Sequence, residues 1–134
     1  MPAKARKDSS SLLLLSTQGR EYSDEELLLL RQFRQVAGQV MANPFSTIAS
    51  ATRLIGLSER TLYRKCKELT GLTPATYLRL LRLDRARELL LSGEAATVAA
   101  AAFAVGFEDT DYFARVFYRH YGQRASELVR PATT

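Results

Sequence analysis

The sequence predicts an all-α protein with two helix-turn-helix subdomains joined by a long linker helix. Three observations lead to this prediction. Apolar residues recur at helical spacing in several segments. No segment alternates apolar and polar residues with a period of two. The chain twice contains the same succession of a short helix, a glycine and a helix with one polar, exposed face, which is typical of homeodomain-like units.

The 134 residues are enough for one compact domain, or for two very small ones that share a long helix. Residues 1–20 carry a few basic residues, three serines and the run Leu12–Leu15 without a helical period. We interpret them as a flexible tail, either a linker or a cloning remnant in preference to a basic arm that touches phosphates. The predicted organisation is a tail at 1–20, a first subdomain at 21–72, a linker helix at 73–92 and a second subdomain at 93–134.

Capping residues, glycines and prolines mark the ends of the predicted helices. Ser23 followed by Glu26 is a capping-box pattern that opens the first amphipathic helix. Thr73-Pro74 opens the linker helix, since proline suits the first helical position. The helices are predicted at about 24–42, 47–55, 58–69, 73–92, 97–104 and 110–121, with a last short one at 126–129.

The charge distribution favours an anionic partner. The formal net charge is +5 and the pI is about 9.7, which points first to nucleic acid and second to a membrane surface. Residues 57–92 hold eight Lys or Arg against four acids, whereas residues 93–134 hold four Arg against five acids. The positive potential is therefore expected around the middle of the chain.

The sequence lacks the residues that several classes of protein function require. One cysteine and one histidine give neither a disulfide nor a transition-metal set. Leu12–Leu15 is too short to span a bilayer. There is no acid pair, no nucleophile beside a base and no phosphate-cradling glycine loop. We expect a cytoplasmic protein that is not an enzyme, with no catalytic residue, metal, cofactor, small-molecule site or membrane partner.

The chain contains a diverged internal repeat. Gly56 to Gly71 spans 15 residues and Gly106 to Gly122 spans 16, so the second turn carries one extra residue. A turn glycine reaches positive φ at little cost, and the apolar residue after it plugs the gap between the two helices. Leu57 and Phe107 are the expected plugs, and the alignment pairs Leu62 with Phe113, Arg64 with Arg115 and Cys66 with Phe117.

Helical spacing separates a buried from an exposed face on each reading helix. On the first, Leu62, Cys66 and Leu69 are expected inside. On the second, either Tyr112 or Phe113 goes inside with Val116 and Phe117. The outward residues are Arg60, Tyr63, Arg64 and Lys67 on the first helix, and Thr110, Asp111, Ala114, Arg115 and Arg119 on the second.

The outward residues other than Ala114 are the candidate DNA-binding set. Arg64 is the first choice for a base contact, because a guanidinium pairs with guanine O6 and N7. Arg115 holds the equivalent place, although it could pair with an acid such as Asp111 instead. Asp111 either accepts from a cytosine amino group or weakens docking. Arg60 and Tyr63 join the base-reading face, and Lys67, Thr110 and Arg119 touch phosphate or are simply solvated.

Other residues receive structural interpretations. Cys66 is expected to be a small core residue rather than a redox switch. His120 is expected to be structural or exposed, because a single histidine is no ligand set. Asp84 with Arg85 and Arg87 is interpreted as an exposed, salt-bridged face of the linker helix.

Residues 44–130 resemble the DNA-binding domain of the AraC/XylS family of bacterial transcription regulators. The segments that carry the resemblance are GLSERTLYRK at 56–65, TGLTPATY at 70–77, RLDRA at 82–86 and VGFEDTDYFARVF at 105–117. The resemblance implies a seven-helix bipartite module that binds asymmetric sites in double-stranded DNA and controls promoters. It also implies RNA polymerase as a further partner of an exposed surface.

Three features depart from the family pattern. The family has larger aliphatic residues where Ala51 and Ala101 stand, so the two short helices are expected to pack either more closely or less stably. Arg124-Ala125 and Leu128 replace the Ser/Thr-Pro and the aromatic of the closing segment. Asp111 places an acid on the second reading helix. The second unit is therefore expected to read DNA less strongly than the first.

The predicted function is sequence-specific reading of double-stranded DNA by a transcription regulator. A linker helix about 27 Å long suits two recognition helices, about 58–69 and 110–121, that enter adjacent major grooves about 34 Å apart. The alternative is a helical protein-interaction adaptor with residual non-specific DNA binding. Both a stand-alone regulator and the C-terminal piece of a longer sensor are compatible with the sequence.

Overall fold

A computed structural model describes residues 21–41 and 48–130. These residues form six α-helices and one 3-10 helix, and they contain no strand, which confirms the all-α prediction. The predicted tail at 1–20 lies outside the described residues. The helices are α1 (Asp24–Met41), α2 (Ile48–Ile55), α3 (Glu59–Thr70), α4 (Pro74–Ser92), α5 (Val98–Ala104), α6 (Thr110–Tyr121) and the 3-10 helix Ala125–Leu128.

The predicted capping box opens α1. The Ser23 N–H donates to Glu26 Oε1 at 3.0 Å, and the Glu26 N–H donates to Ser23 Oγ at 3.2 Å. Acidic residues in the first turn also complement the positive end of the helix dipole. Just before the helix, the Tyr22 hydroxyl donates to the carbonyl of Leu69 and so ties the start of α1 to the end of α3.

The chain divides into two compact units, Met1–Leu81 and Arg82–Thr134. The boundary falls inside α4, the helix predicted as the linker, while the finer division at residues 72 and 93 stays a prediction. In the first unit α1 packs on α2 and α2 packs on α3. Its buried core consists of Leu30, Phe33, Ala37, Leu62, Cys66, Leu69, Tyr77 and Leu81.

A run of aromatic rings forms the centre of the second unit, where α5 and the 3-10 helix both pack on α6. The ring centroids lie 5.0 Å apart for Phe107 and Phe113, 5.5 Å for Phe113 and Phe117, and 4.6 Å for Phe117 and Tyr121. Phe113 is fully buried and Tyr112 is 38% exposed, so Phe113 takes the inward position that the sequence left open.

The interpretation of Asp84 as part of an exposed salt-bridged face is wrong. Its side chain is only 5% exposed. The Tyr121 hydroxyl donates to Asp84 Oδ1 at 3.4 Å, and the Arg87 guanidinium lies 5.5 Å from the centre of the Tyr121 ring. Arg85 is exposed as expected, and it pairs with Glu88 at 3.2 Å. Asp84 is buried because this part of α4 is packed on more than one face, a tertiary effect that helical spacing does not reveal.

The two alanines that depart from the family pattern differ in their packing. Ala51 lines an apolar cavity of about 40 Å³ in the first unit, together with Phe33, Val40, Leu62 and Tyr77. Ala101 is completely buried in the second unit. The short helix of the first unit therefore has free space beside its alanine, whereas the alanine of the second unit is fully enclosed.

Candidate DNA-binding surface

The two predicted recognition helices, α3 and α6, are built alike. Each has 12 residues. Ser58 begins α3, its Oγ accepting from the Thr61 N–H at 3.1 Å. Asp109 begins α6, its Oδ1 accepting from the N–H groups of Asp111 at 2.9 Å and Tyr112 at 3.1 Å. A polar side chain at this position satisfies backbone donors that have no partner within the helix, which fixes where each helix starts.

Each recognition helix follows a turn that starts at a glycine with positive φ, 79° at Gly56 and 96° at Gly106. A side chain at either position would be strained, which explains the glycine in both copies. The cap residue follows two positions later in the first copy and three later in the second, as the repeat predicted. Arg82 holds the second turn, since its Nη1 donates to the Gly106 carbonyl at 3.2 Å.

The outer face of α3 carries the predicted polar set. Leu62, Cys66 and Leu69 are buried, as the spacing predicted. The side chains of Arg60, Tyr63, Arg64 and Lys67 are all exposed on the opposite face. Arg60 and Tyr63 also line a shallow cleft with residues 73–75 at the start of α4.

Arg64 forms an ion pair along its own helix. Its Nη1 lies 3.7 Å from Glu68 Oε2, and the two side chains are 56% and 57% exposed. A pair this exposed contributes about 0.3–0.5 kcal/mol to a helix. It can therefore exchange for a stronger contact with a guanine or a phosphate at little cost.

The outer face of α6 forms one wall of a groove. Asp111 and Arg115 are exposed and Thr110 is half-buried, and all three line the groove. The Arg115 guanidinium lies 5.8 Å from the centre of the Tyr112 ring, which holds it against an aromatic face. The remaining lining residues are Val98, Ala99, Ala114, Tyr118, Arg124, Ala125 and Ser126. Arg119 is exposed near the end of α6 and does not line this groove.

Tyr118 and Arg124 are surface residues that the sequence reasoning missed. Tyr118 is 55% exposed and lies four residues after Ala114 and seven after Asp111, so helical spacing alone places it on the outer face. Arg124 lies beyond the end of α6, where helical spacing no longer applies. Only the fold brings it beside the recognition helix.

Part of the positive charge of residues 57–92 is engaged within the protein. Arg82 binds the Gly106 carbonyl, Arg85 pairs with Glu88, and Arg87 covers Tyr121. Lys65 is half-buried. The exposed cations of this stretch are Arg60, Arg64 and Lys67 on α3 and Arg85 on α4, so the exposed positive charge is concentrated on α3 and is smaller than the sequence count suggests.

Cys66 is a core residue. Its side chain is 1% exposed, and burial raises the pKa of its thiol. Thr70 Oγ1 donates to the Cys66 carbonyl at 2.7 Å, which closes the last turn of α3. Among the residues that the structure describes, no three His, Cys, Asp or Glu side chains gather in a metal-binding group. None of the helices in the same ranges is long and apolar enough to cross a membrane.

Two capped helices, each following a glycine turn and exposing a polar face, define a helix-turn-helix DNA-binding protein. A family model described as a helix-turn-helix domain matches residues 51–130. The HTH-type transcriptional activator RhaS of Shigella boydii is 48% identical over 65 residues, which are 48% of this chain and 23% of the relative. RhaS of Escherichia fergusonii is 44% identical over 72 residues, or 54% of this chain and 26% of the relative. The matched stretch thus spans about a quarter of these curated relatives.

Solved structures agree with this assignment. A probable AraC family transcriptional regulator from Rhodopseudomonas palustris has a TM-score of 0.59 and 33% identity, covering 75% of this chain and 99% of that one. The C-terminal domain of AraT, a response regulator from Geobacillus stearothermophilus, has a TM-score of 0.65 and 26% identity, covering 77% and 86%. The chain belongs to the AraC/XylS family and contains its DNA-binding domain.

Proposed function

We propose that this chain is the DNA-reading part of a bacterial transcription regulator, with α3 and α6 entering adjacent major grooves of one duplex. The observation that carries the proposal is the repeated construction of the two helices. Both are 12 residues long, both start at a polar cap, and both expose an arginine at the equivalent position, Arg64 in α3 and Arg115 in α6.

The exposed side chains divide into two proposed roles. Arg64 and Arg115 read base edges, because a guanidinium matches the paired acceptors of guanine. Arg60 and Tyr63 extend the same face of α3 toward the start of the helix. Lys67, Thr110 and Arg119 contact phosphates, which position the protein without specifying sequence.

The two helices contribute unequally under this proposal. The exposed face of α3 carries the cations Arg60, Arg64 and Lys67. The exposed face of α6 carries Asp111, whose carboxylate is repelled by nearby phosphates unless it meets a cytosine amino group. Asp111 also lies in the first turn of α6, where an acid stabilises the helix dipole. We therefore propose α3 as the dominant reader and α6 as the weaker, more discriminating one.

Family membership supports the proposed biological role. RhaS is named a transcriptional activator, and we propose control of promoters in the bacterial cytoplasm for this chain as well. An exposed face of α4 or of the first unit is then available to RNA polymerase.

A salt titration tests the proposal. Fluorescence anisotropy would follow binding of the chain to a labelled mixed-sequence duplex and to a duplex enriched by repeated selection from random DNA. We expect tighter binding to the selected duplex, and log K falling linearly with log[salt] at about 0.9 per phosphate neutralised. No measurable affinity for either duplex at 50 mM salt would overturn the proposal and favour a protein-interaction adaptor.

A matched pair of variants distinguishes binding through the exposed face of α3 from binding through the net positive charge of the protein. Arg64→Gln and Arg85→Gln remove one charge each, and both arginines are exposed members of a helical ion pair. Only Arg64 lies on a recognition helix. We expect Arg64→Gln to weaken binding to the selected duplex and Arg85→Gln to leave it unchanged.

A further inference from the structure

The segment that closes the second unit presents an arginine in an unusual place. Arg124 precedes the 3-10 helix Ala125–Leu128 as its N-cap residue, and its side chain makes no capping hydrogen bond. A guanidinium carries donors only, so it cannot accept from the exposed N–H groups of a helix start as Ser or Thr can. The local fold therefore gives Arg124 no role at the cap, and its side chain is exposed.

Arg124 lines the same groove as the outer face of α6. Asp111, Arg115 and Tyr118 line it from the helix, and Arg124 lines it from the closing segment. The groove thus holds one carboxylate and two guanidinium groups. Without Arg124, the charges of Asp111 and Arg115 would cancel and leave this wall without net attraction for a polyanion.

We propose that Arg124 binds a DNA phosphate beside α6 and offsets the repulsion from Asp111. This inference rests on the proposed function and names a contact within it. A guanidinium suits the role because it offers several donors in a planar fork that matches two phosphate oxygens. The departure from Ser or Thr in the closing segment then strengthens the second unit, in contrast to the expectation drawn from the sequence.

The contact predicts an electrostatic signature that does not depend on base sequence. Arg124→Gln removes one phosphate neutralisation and lowers the steepness of log K against log[salt] by about 0.9. The ratio of wild-type to variant affinity should therefore grow about 3.5-fold when salt is reduced from 200 to 50 mM. The loss should be equal on selected and mixed-sequence duplexes, and Arg124→Lys should retain the wild-type slope.

Removing the carboxylate of Asp111 tests whether Arg124 offsets its repulsion of phosphates. In the Arg124→Gln background, Asp111→Asn should recover part of the lost affinity for mixed-sequence DNA. The charge-matched control is Arg85→Gln in α4, which removes a cation outside the groove and should leave the slope unchanged.

The outcomes separate this inference from the proposed function. If wild-type protein binds DNA with a steep slope while Arg124→Gln behaves like Arg85→Gln, the Arg124 contact is wrong and the DNA-reading proposal stands. If Arg124→Gln changes preference at a single base pair and leaves the slope intact, Arg124 reads a base and the phosphate assignment is overturned. If wild-type protein binds no DNA, both proposals fail together.

Discussion

The hydroxyl of Tyr121, the last residue of α6, donates to the buried carboxylate of Asp84 in α4 at 3.4 Å. This bond fixes the end of α6 to α4 within the second unit. Burial is the main cause that raises the pKa of Tyr121, and the negative charge of Asp84 raises it further. Its hydroxyl therefore remains a donor throughout the neutral and mildly alkaline range.

Removing the Tyr121 hydroxyl should destabilise the second unit. Tyr121→Phe keeps the ring beside Phe117 and under Arg87 but removes one donor from a buried carboxylate, at a cost of about 0.5–1.5 kcal/mol. Urea unfolding followed by circular dichroism measures the change. The control is Tyr118→Phe, which removes a hydroxyl from a residue that is 55% exposed and should change stability by less than about 0.5 kcal/mol. Equal effects of the two variants would show that the bond to Asp84 contributes nothing.

Ala51 and Ala101 should respond in opposite directions to the same substitution. Ala51→Val places two extra carbons beside the cavity of about 40 Å³. It should stabilise the protein by about 0.5–1 kcal/mol once the lower helix propensity of valine is subtracted. Ala101→Val forces the same atoms into a fully buried site and should cost about 1–3 kcal/mol. Thermal unfolding of both variants measures this contrast, and a destabilised Ala51→Val protein would mean that the cavity cannot accept the added carbons.

The Cys66 thiol should be inert in the folded protein. Burial raises its pKa, so the reactive thiolate is disfavoured in the native state. Reaction with a thiol reagent at pH 8 should proceed only as fast as the protein unfolds and should accelerate with urea. The pKa of the Cys66 thiol is higher in the folded than in the unfolded protein. Its contribution to the free energy of unfolding is therefore fully present below the unfolded pKa and is lost as pH rises through the folded pKa. Complete labelling within seconds at full native circular dichroism would contradict the buried position.

Arg64→Ala should relax base preference at a single position. Loss of a bidentate guanine contact costs about 1–3 kcal/mol at that base pair and little at the others. Competition binding against duplexes with single base-pair changes measures the effect. The control is Arg31→Ala, which removes an exposed arginine from α1 and should leave preference unchanged. A uniform loss across all duplexes would reassign Arg64 to phosphate contact.

Local chemistry made most of the fold predictable from the sequence. The Ser23 and Glu26 box, the start of α3 at about residue 58 and the glycine turns depend on neighbouring residues, and all are present in the structure. The buried stripe of α3 follows from helical spacing for the same reason.

Features that depend on tertiary packing were not predictable in this way. Asp84 is buried because α4 is packed on more than one face. The choice between Tyr112 and Phe113 depended on the aromatic core of the second unit, where Phe113 lies beside the rings of both Phe107 and Phe117. Arg124 reaches the groove beside α6 only through the fold of the closing segment. Spacing could have identified Tyr118, which shares a face with Asp111 and Ala114.

We propose above that two helices of one chain read two adjacent major grooves. Interference footprinting with bases modified in the major groove, on a duplex selected for tight binding, tests it most directly. We expect two clusters of contacted bases about 10–10.5 base pairs apart on one face of the DNA. Arg64→Ala should remove contacts from one cluster and Arg115→Ala from the other. A single cluster, or one cluster that responds to both variants, would contradict reading by two helices.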